Sequence, residues 1–446
     1  MGLRHREQVA HAHPDRLLLA TESLADLGQL GVGLQLAQVL HQGVGVSTHH
    51  AILGTARFRS VVRSSTSTPT AARRQTVVRS RTGAAGDNPR VPDSDRHLDQ
   101  EASGEVAKRR LELTRAQVLA FRRCVGGLDE RLPPGPSSLR AAAWAGLQDS
   151  MPRAALLSIH ARVEGTGPGS WEDPSLVQVW GPRFSAFVVA ERDRAVFTVG
   201  RLPEDPSARR DVEQLADRLE AFLDGRRMNC REVGRALGRH PSSLRYAAPT
   251  GRVVMRWDGA RQPTIWTVPA PAIDPGDARL ELASRYLHVL GPATAEAFAE
   301  WAGIGPARGR ATFEALAGSL TPVRTPVGDA WILTEDERAF RISVGGQAAA
   351  TRLLPSGDAY FLLWRADREL LVPAPGRRGE LWTPRVWPGA VVVAGEVAGT
   401  WRRAGAVVTI DTWNGLSPAA REAVEREAQS FPLPAVQGRI RVRWEE

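Results

Sequence analysis

Aromatic residues are almost missing from the first quarter of this chain. All 13 tryptophans and all three tyrosines lie beyond residue 140, and Phe58 is the one phenylalanine before residue 110. Seven of the ten histidines fall in the same stretch, among Ser, Thr and Arg tracts. A segment so poor in large apolar side chains cannot bury enough surface to offset the entropy of ordering it. Residues 1–108 are therefore predicted to be a disordered extension, or one that arises from a start codon placed too far upstream.

Cysteine is scarce as well, because Cys124 and Cys230 are the only two in 446 residues. Two cysteines without metal-ligand spacing exclude a disulfide framework, so we expect no metal, no cofactor and a reducing cytoplasmic location. No run of 18 apolar residues is present, and the early run LADLGQLGVGLQLAQVL lacks the basic flank and cleavage site of a signal peptide. We therefore expect no membrane as a partner.

Positive charge is plentiful but unevenly placed. The formal net charge is +9, and every basic residue except Lys108 is an arginine or a histidine. The first 110 residues carry 15 Lys plus Arg against 10 Asp plus Glu, whereas the remainder carries 43 against 39. A basic balance is typical of nucleic-acid binding. More than half of the excess lies on the predicted extension, however, so charge alone does not assign that function.

Three blocks of the remaining chain repeat one order of predicted elements: helices, a turn, another helix and a β-hairpin. The second block is the clearest. It has the helical periodicity of DVEQLADRLEAFLD, a helix NCREVGRALG that begins at the cap Asn229, the helix SSLRYAAP, and a hairpin with its turn at Asp258-Gly259. That order is typical of a winged helix. The third block repeats it with a hairpin turn at Gly328-Asp329, and the first block does so more loosely.

After Gly345 the pattern becomes β. The segments AYFLLWRADRELLVP and AVVVAGEVAGTWRRAGAVVTI alternate apolar and polar residues, and a later helix begins at the cap Ser417. The predicted fold class is therefore α+β, with tandem winged-helix domains followed by a small C-terminal antiparallel β-barrel-like domain. The predicted domains are the extension 1–108, winged helices at 109–205, 206–275 and 276–348, and the β-barrel-like domain 349–446.

The segment GLQDSMPRAALLSIHARV places three polar residues between two apolar runs. In one interpretation it is a helix end followed by a new start, with Asp149 or Ser150 as the cap and Pro152 in the first turn. In the other interpretation the same side chains form a site, because an amide and a carboxylate can both hold a water molecule. The segment alone favours the first interpretation.

The chain resembles the AlkZ/YcaQ-type family of bacterial winged-helix DNA glycosylases. The similarity runs through GLQDSMPRAALLSIHARV, RYLHVLGPATAEAFAEWAG, LLPSGDAYFLLWRADRELLVP and GEVAGTWRR, in order, over roughly residues 111–446. It implies three winged helices and a small barrel around double-stranded DNA, in a monomer that excises alkylated or bulky-adduct bases without a metal. The family's catalytic signature is a Gln, one intervening residue, and then Gln or Asp. Gln148 matches the first position, and Ser150 stands at the second.

The catalytic candidates implied by the resemblance are therefore Gln148 and Ser150, with Asp149 as a neighbouring carboxylate. Cleavage of an N-glycosidic bond develops positive charge on the sugar and needs a water aimed at its C1′ carbon. The amide of Gln148 can position that water, whereas Ser150 has a shorter reach and no charge. Asp149 has a charge, but one step along a helix turns a side chain by about 100°.

The DNA-contact candidates are mostly arginines and serines near predicted turns. Those next to the start of the helix SSLRYAAP lie where a helix N-terminus favours phosphate, and those on the second hairpin can follow the DNA backbone. The competing interpretation for each is a solvated side chain or a helix cap. The full set is Arg183, Arg239, Ser242, Ser243, Arg245, Arg252, Arg256 and Arg261.

Three functions remain open at this point. The leading one is a DNA glycosylase of the family named above. The alternative is a non-catalytic DNA-binding or regulatory protein that retains the scaffold, which the serine at position 150 favours. A protein-interaction module built from winged helices fits the modest charge of residues 111–446.

Overall fold

The computed structural model describes residues 110–151, 153–259, 262–342, 349–433 and 439–445. The predicted extension 1–108 lies outside these residues, as does Arg261. Within the described ranges, no helix is long and apolar enough to cross a membrane. No cluster of three or more His, Cys, Asp or Glu side chains is placed there to hold a metal ion.

Helices and strands alternate in short elements along the described chain. The α-helices are α1 (Arg115–Val125), α2 (Pro136–Ala142), α3 (Ala154–His160), α4 (Arg194–Thr198), α5 (Pro206–Leu223), α6 (Cys230–Ala236), α7 (Pro275–Leu290), α8 (Ala295–Ala302), α9 (Pro306–Ala315), α10 (Glu337–Ile342), α11 (Asp367–Leu371), α12 (Pro375–Leu381) and α13 (Pro418–Gln429). The strands are β1 (Leu111–Glu112), β2 (Leu147–Gln148), β3 (Leu176–Trp180), β4 (Ala186–Ala190), β5 (Met228–Asn229), β6 (Val253–Arg256), β7 (Thr264–Thr267), β8 (Leu320–Thr325), β9 (Gly328–Leu333), β10 (Arg352–Leu354), β11 (Gly389–Val393), β12 (Glu396–Ala404), β13 (Val407–Thr412) and β14 (Arg441–Glu445).

The second predicted block has the expected helices, with one correction. Helix α5 buries Leu215 and Leu219 on one face, and the Asn229 side chain accepts the Arg231 N–H at the start of α6. The segment predicted as a further helix, SSLRYAAP, forms instead a 3-10 helix over Pro241–Thr250. Proline explains the difference, because Pro249 cannot donate the hydrogen bond that an α-helix would need near its end.

One of the two predicted hairpin turns is shifted from its predicted position, and the other lies where it was expected. In the second block Asp258-Gly259 lies within the connection 257–263, and β6 ends at Arg256 before it. In the third block Thr325 pairs with Gly328, so Pro326 and Val327 form the turn and Gly328 already belongs to β9. Proline accounts for this shift, since it has the fixed backbone angle that a turn requires.

One six-stranded sheet joins the first two predicted blocks. Its order is β2-β4-β3-β6-β7-β5, and all its pairs are antiparallel. Gln178 on β3 pairs with Met255 on β6, so the hairpins of the two blocks are continuous. A separate three-stranded sheet, β1-β8-β9, links the start of the first block to the third. The chain segments therefore share sheets across the predicted boundaries.

The C-terminal segment folds around an open sheet rather than the predicted barrel. The order β10-β11-β12-β13-β14 has two free ends, and no sheet of the described residues closes on itself. The last pair, β13 with β14, is parallel, because α13 carries the chain from one to the other. Helix α13 begins as predicted, with the Ser417 hydroxyl accepting the Ala420 N–H.

The strand predicted for AYFLLWRADRELLVP is wrong. Residues Ala359–Phe361 form a 3-10 helix, and Asp367–Leu371 form α11. The apolar side chains from Tyr360 to Leu363 are all buried in one hydrophobic cluster. The alternation in this sequence therefore does not mark one buried face of a strand. Arg365, at φ 48°, lies in the turn between the two helices.

Candidate active site

The segment that contains Gln148, Asp149 and Ser150 is extended, not helical. Helix α2 ends at Ala142, and Gly146 at φ 55° turns the chain into the short strand β2. Gln148 pairs with Phe187 on β4, and the Asp149 N–H donates to the Ala186 carbonyl at 2.9 Å. Alternate side chains of an extended chain point to opposite sides. The one-residue spacing between Gln148 and Ser150 therefore places both on the same side.

Gln148 and Ser150 are in direct contact. The amide nitrogen of Gln148 donates a hydrogen bond to the Ser150 hydroxyl. The Gln148 side chain is 4% exposed, and its Oε1 has no hydrogen-bond partner among the described residues. Gly357 lies against this amide so closely that a methyl group at position 357 would overlap Oε1. Gln148 Oε1 is thus a hydrogen-bond acceptor that no described residue uses, next to the Ser150 hydroxyl.

Asp149 points away from this pair, and a catalytic role for it stays a prediction. Its Oδ1 accepts the Ala155 N–H in the first turn of α3 at 3.1 Å, and its Oδ2 accepts from the Gln178 amide at 2.7 Å. Burial raises the pKa of Asp149 to about 7, against the opposing effects of these hydrogen bonds and of nearby Arg153 and Arg256. Asp149 therefore anchors the strand to α3 and β3. The prediction that Asp149 or Ser150 is the N-cap of α3 is wrong, because Arg153 occupies that position.

Asp358 anchors the loop that covers Gln148. Its carboxylate receives two hydrogen bonds from the Arg162 guanidinium, at 2.7 and 2.8 Å, and one from the Ser158 hydroxyl at 2.6 Å. It also accepts the Tyr360 N–H, which caps the following 3-10 helix. Both members of this ion pair are at most 1% exposed. Gly357 is consequently held in place over Gln148 by the residue that follows it.

His160 has a structural role. Its two ring nitrogens bond to the hydroxyls of Thr166 and Ser430, at 2.7 and 2.9 Å. Burial, together with nearby Arg131 and Arg352, lowers the pKa of His160 to about 3. The imidazole is therefore neutral near pH 7 but accepts a proton only weakly, and hydrogen bonds already occupy both of its ring nitrogens.

A cluster of two arginines and a tryptophan lies beside this segment. The guanidinium carbons of Arg153 and Arg256 each lie 4.4 Å from the centroid of the buried Trp171 ring. Arg153 has a left-handed backbone, with φ 69°, just before α3. Arg256 ends β6 and forms an ion pair with Glu172 at 3.3 Å. We call Arg153, Trp171 and Arg256 the arginine–tryptophan cluster.

The serines and arginines near Pro241 surround the start of the 3-10 helix. Ser242 lies on the surface and bonds to the His240 ring at 2.6 Å, while the Ser243 hydroxyl donates to the His240 carbonyl at 2.7 Å. Arg239 is exposed, and Arg245 lies over the Tyr246 ring. These residues are close together, and their contact with DNA stays a prediction.

Two of the predicted DNA contacts are engaged within the protein. The Arg183 guanidinium donates to the carbonyls of Glu300 and Trp301, at 2.7 and 2.9 Å, and lies over the Trp364 ring. Arg252 pairs with Asp217 and Glu220 on α5. These contacts argue against a phosphate role for either arginine. Arg261 lies outside the described residues.

Several residues that build the candidate site were not predicted from the sequence. These residues come from separate parts of the chain, and each contacts the Gln148–Ser150 segment or a residue next to it that holds it in place. They are Arg153, Arg162, Trp171, Gln178 and Gly357. A glycine in the turn LLPSGDAY and a glutamine within the apolar strand LVQVW were the visible signals. Neither signal says which distant residue it would meet.

The fold defined by these elements is that of a known class of DNA repair enzyme. The structure is similar to that of Streptomyces sahachiroi DNA glycosylase AlkZ, with a TM-score of 0.60 and 20% sequence identity, over 75% of this chain and 100% of that chain. The chain belongs to the AlkZ-like DNA glycosylase family, whose model matches residues 141–432, more than half of the sequence. The family predicted from the sequence is thus confirmed. No curated protein matches the sequence.

Proposed function

We propose that this protein is a metal-independent DNA glycosylase that removes alkylated or bulky-adduct bases from double-stranded DNA. Water attacks the C1′ carbon of the damaged nucleotide, and Gln148 and Ser150 position that water. One observation carries this proposal. The Gln148 amide is buried beside Ser150, and the amide oxygen Oε1 has no hydrogen-bond partner among the described residues. Buried acceptors are nearly always satisfied in proteins, so an unfilled one indicates a functional position.

The chemistry needs few protein groups when the base already carries a positive charge. The bond between C1′ and the base nitrogen breaks, and its electron pair leaves with the base, which becomes neutral. The water oxygen forms the new bond to C1′ and releases one proton to solvent. Gln148 Oε1 accepts a hydrogen bond from the water and orients its lone pair toward the sugar. The Ser150 hydroxyl supplies a second contact to the water.

Asp149 supports this reaction by positioning rather than by contact with water. Its two oxygens are already engaged by the Ala155 N–H and the Gln178 amide. These bonds hold the extended segment in the register that brings Gln148 and Ser150 together. We assign Asp149 a positioning role for that reason.

The proposed DNA-binding framework consists of winged helices at 109–205, 206–275 and 276–348, with the sheet-containing segment 349–446 completing it. Its support is the repeated order of helices followed by a hairpin, as in α5, α6, the 3-10 helix Pro241–Thr250 and β6–β7. Arg239, Ser242, Ser243, Arg245 and Arg256 are proposed to contact the DNA backbone, which supplies most of the affinity of such proteins.

A second candidate function follows from the serine at position 150, which departs from the Gln or Asp of the family's catalytic signature. Ser150 lacks the charge or amide that the resemblance implies at this position, so it stabilises a positive sugar less well. A protein that binds duplex DNA and leaves the N-glycosidic bond intact is the corresponding alternative.

The experiment that separates these functions measures base release by the full-length protein. A duplex with one N7-methylguanine is incubated with protein and then heated in alkali, which cleaves the strand at abasic sites. We expect cleavage with the wild-type protein and at least a hundredfold slower release with Gln148→Ala, the scale of loss when one polar group that stabilises a transition state is removed.

The matched control is Gln214→Ala, which removes an exposed glutamine on α5 and should leave the rate unchanged. Duplex binding without release supports the non-catalytic function. The catalytic assignment is contradicted if Gln148→Ala releases the base as fast as the wild type.

A further inference from the structure

The arginine–tryptophan cluster brings together two positive charges from distant parts of the chain. Arg153 follows the Gln148–Ser150 segment, and Arg256 ends the β6 strand of the second hairpin. Both lie over one indole ring, so their guanidinium carbons are no farther apart than the sum of two 4.4 Å distances. Two like charges this close repel each other, and an anion between their edges would relieve that repulsion.

Stacking on an aromatic ring leaves the edges of a guanidinium available. The ring occupies the flat face, while the N–H groups lie in the guanidinium plane and point outward. Arg153 Nη1 is buried and has no hydrogen-bond partner among the described residues. A planar guanidinium in this state is suited to two parallel hydrogen bonds with a phosphate.

The negative charge near the cluster is small. Glu172 pairs with Arg256 at 3.3 Å, and its side chain is 47% exposed. Asp149 lies within electrostatic reach of both arginines, but its pKa of about 7 leaves much of it protonated at neutral pH. Glu172 supplies one negative charge and Asp149 only part of one, so these two groups together do not balance the two guanidinium charges.

Hydrogen bonds through Gln178 connect the two chain segments that supply Arg153 and Arg256. The Gln178 amide donates to Asp149 at 2.7 Å, and its oxygen accepts the Trp257 N–H at 2.6 Å. Gln178 is 2% exposed, so this connection is buried. It links the residue after Arg256 to the strand that carries Gln148. Arg153 itself has a left-handed backbone, a conformation that is uncommon for a residue with a Cβ and that recurs at functional sites.

From these observations we propose that Arg153 and Arg256, stacked on Trp171, bind one backbone phosphate of the DNA duplex next to the nucleotide held at Gln148. The inference rests on the proposed function, because it requires DNA as the ligand. It adds Arg153 and Trp171 to the DNA-binding residues and gives the second hairpin a contact at the candidate active site.

The test measures duplex binding by full-length protein at several salt concentrations, using fluorescence anisotropy. Each neutralised phosphate contributes about 0.9 to the slope of log affinity against log salt. We expect the slope of the double variant Arg153→Gln/Arg256→Gln to be smaller by about 0.9. The charge-preserving variant Arg153→Lys/Arg256→Lys should retain the wild-type slope. Arg341→Gln/Arg426→Gln, which removes two exposed arginines from α10 and α13, should also retain it.

A second arm replaces single phosphates of the duplex, one at a time, by neutral methylphosphonates. One position should weaken wild-type binding and have no effect on the double glutamine variant. If wild-type protein binds the duplex but no such position exists and the slope is unchanged, the phosphate site is overturned while the proposed function stands. If the wild type does not bind duplex DNA at all, the proposed function fails and this inference fails with it.

Discussion

Gln148 and Ser150 lie two residues apart on an extended segment, and the Gln148 amide donates to the Ser150 hydroxyl on the side covered by Gly357. The intervening Asp149 faces the other way and anchors the segment through Ala155 and Gln178. Strand geometry therefore explains why two side chains with one residue between them lie on the same side. A helix would have separated the two side chains by about 200°, twice the turn of one residue.

Gly357→Ala is expected to impair both stability and catalysis. The backbone at position 357 has φ 77°, and an added methyl would overlap the Gln148 amide oxygen. Left-handed backbone costs a residue with a Cβ about 1–2 kcal/mol, and the overlap also displaces the amide. The matched control is Gly225→Ala, which has φ 73° and no atom within 4 Å of the added methyl. Thermal unfolding should show a loss for both variants, whereas base release should fall for Gly357→Ala alone; equal base release would contradict the contact.

Ser150→Asp is expected to increase the rate of base release, on the order of tenfold. A carboxylate at this position can accept from the Gln148 amide and stabilise the positive charge that develops on the sugar. Single-turnover kinetics on the N7-methylguanine duplex provides the measurement. Ser150→Ala, which removes the hydroxyl, should lower the rate instead. A lower rate with both variants would show that the serine itself is needed.

Asp149 should make the folded state less stable as the pH rises from about 4 to 7. Burial raises the pKa of this carboxyl from 3.8 to about 7, so the folded state holds a proton that the unfolded state has already lost in this interval. The free energy of unfolding then falls by up to about 1.4 kcal/mol per pH unit. The positive charges of Arg153 and Arg256 oppose this shift in the pKa of Asp149, but burial is the larger effect.

The measurement for Asp149 compares urea unfolding of the wild type and Asp149→Asn between pH 4 and 8. The wild type should lose stability relative to the variant up to about pH 7 and then run parallel to it. Asp211→Asn, at an exposed position on α5, is the control and should show a constant difference. A constant difference for Asp149→Asn as well would contradict the raised pKa.

Asp358→Ala should destabilise the protein by about 3–5 kcal/mol, because it leaves the Arg162 charge buried without its partner. Arg162 and Asp358 are each at most 1% exposed, and Ser158 also donates to this carboxylate. The comparison is Glu422→Ala, which breaks the exposed pair with Arg426 on α13 and should cost less than about 1 kcal/mol. Chemical denaturation measures both, and similar costs would show that burial of the pair has little weight.

Local patterns in the sequence were enough to predict the family, the helices α5, α6 and α13, and the caps of α6 and α13. These features depend on nearby residues: apolar side chains at helical spacing, a cap such as Asn229 or Ser417, and a motif read in order. Local patterns do not depend on what lies elsewhere in the fold, so they could be recognised without it.

The tertiary structure alone decided the backbone of the site and its neighbours. The sequence of the Gln148–Ser150 segment predicts a helix end. Pairing with β4 makes the backbone extended instead, so the Asp149 side chain points to the side opposite Gln148 and Ser150. The sequence AYFLLW predicts a strand. Its apolar side chains are buried on all sides, however, so they do not need the single buried face of a strand, and the chain forms a 3-10 helix instead. Gly357, Gln178 and Trp171 reach the site only because sheet pairing and side-chain packing bring distant segments together. Such contacts depend on the whole chain, and no local pattern in this sequence specifies them.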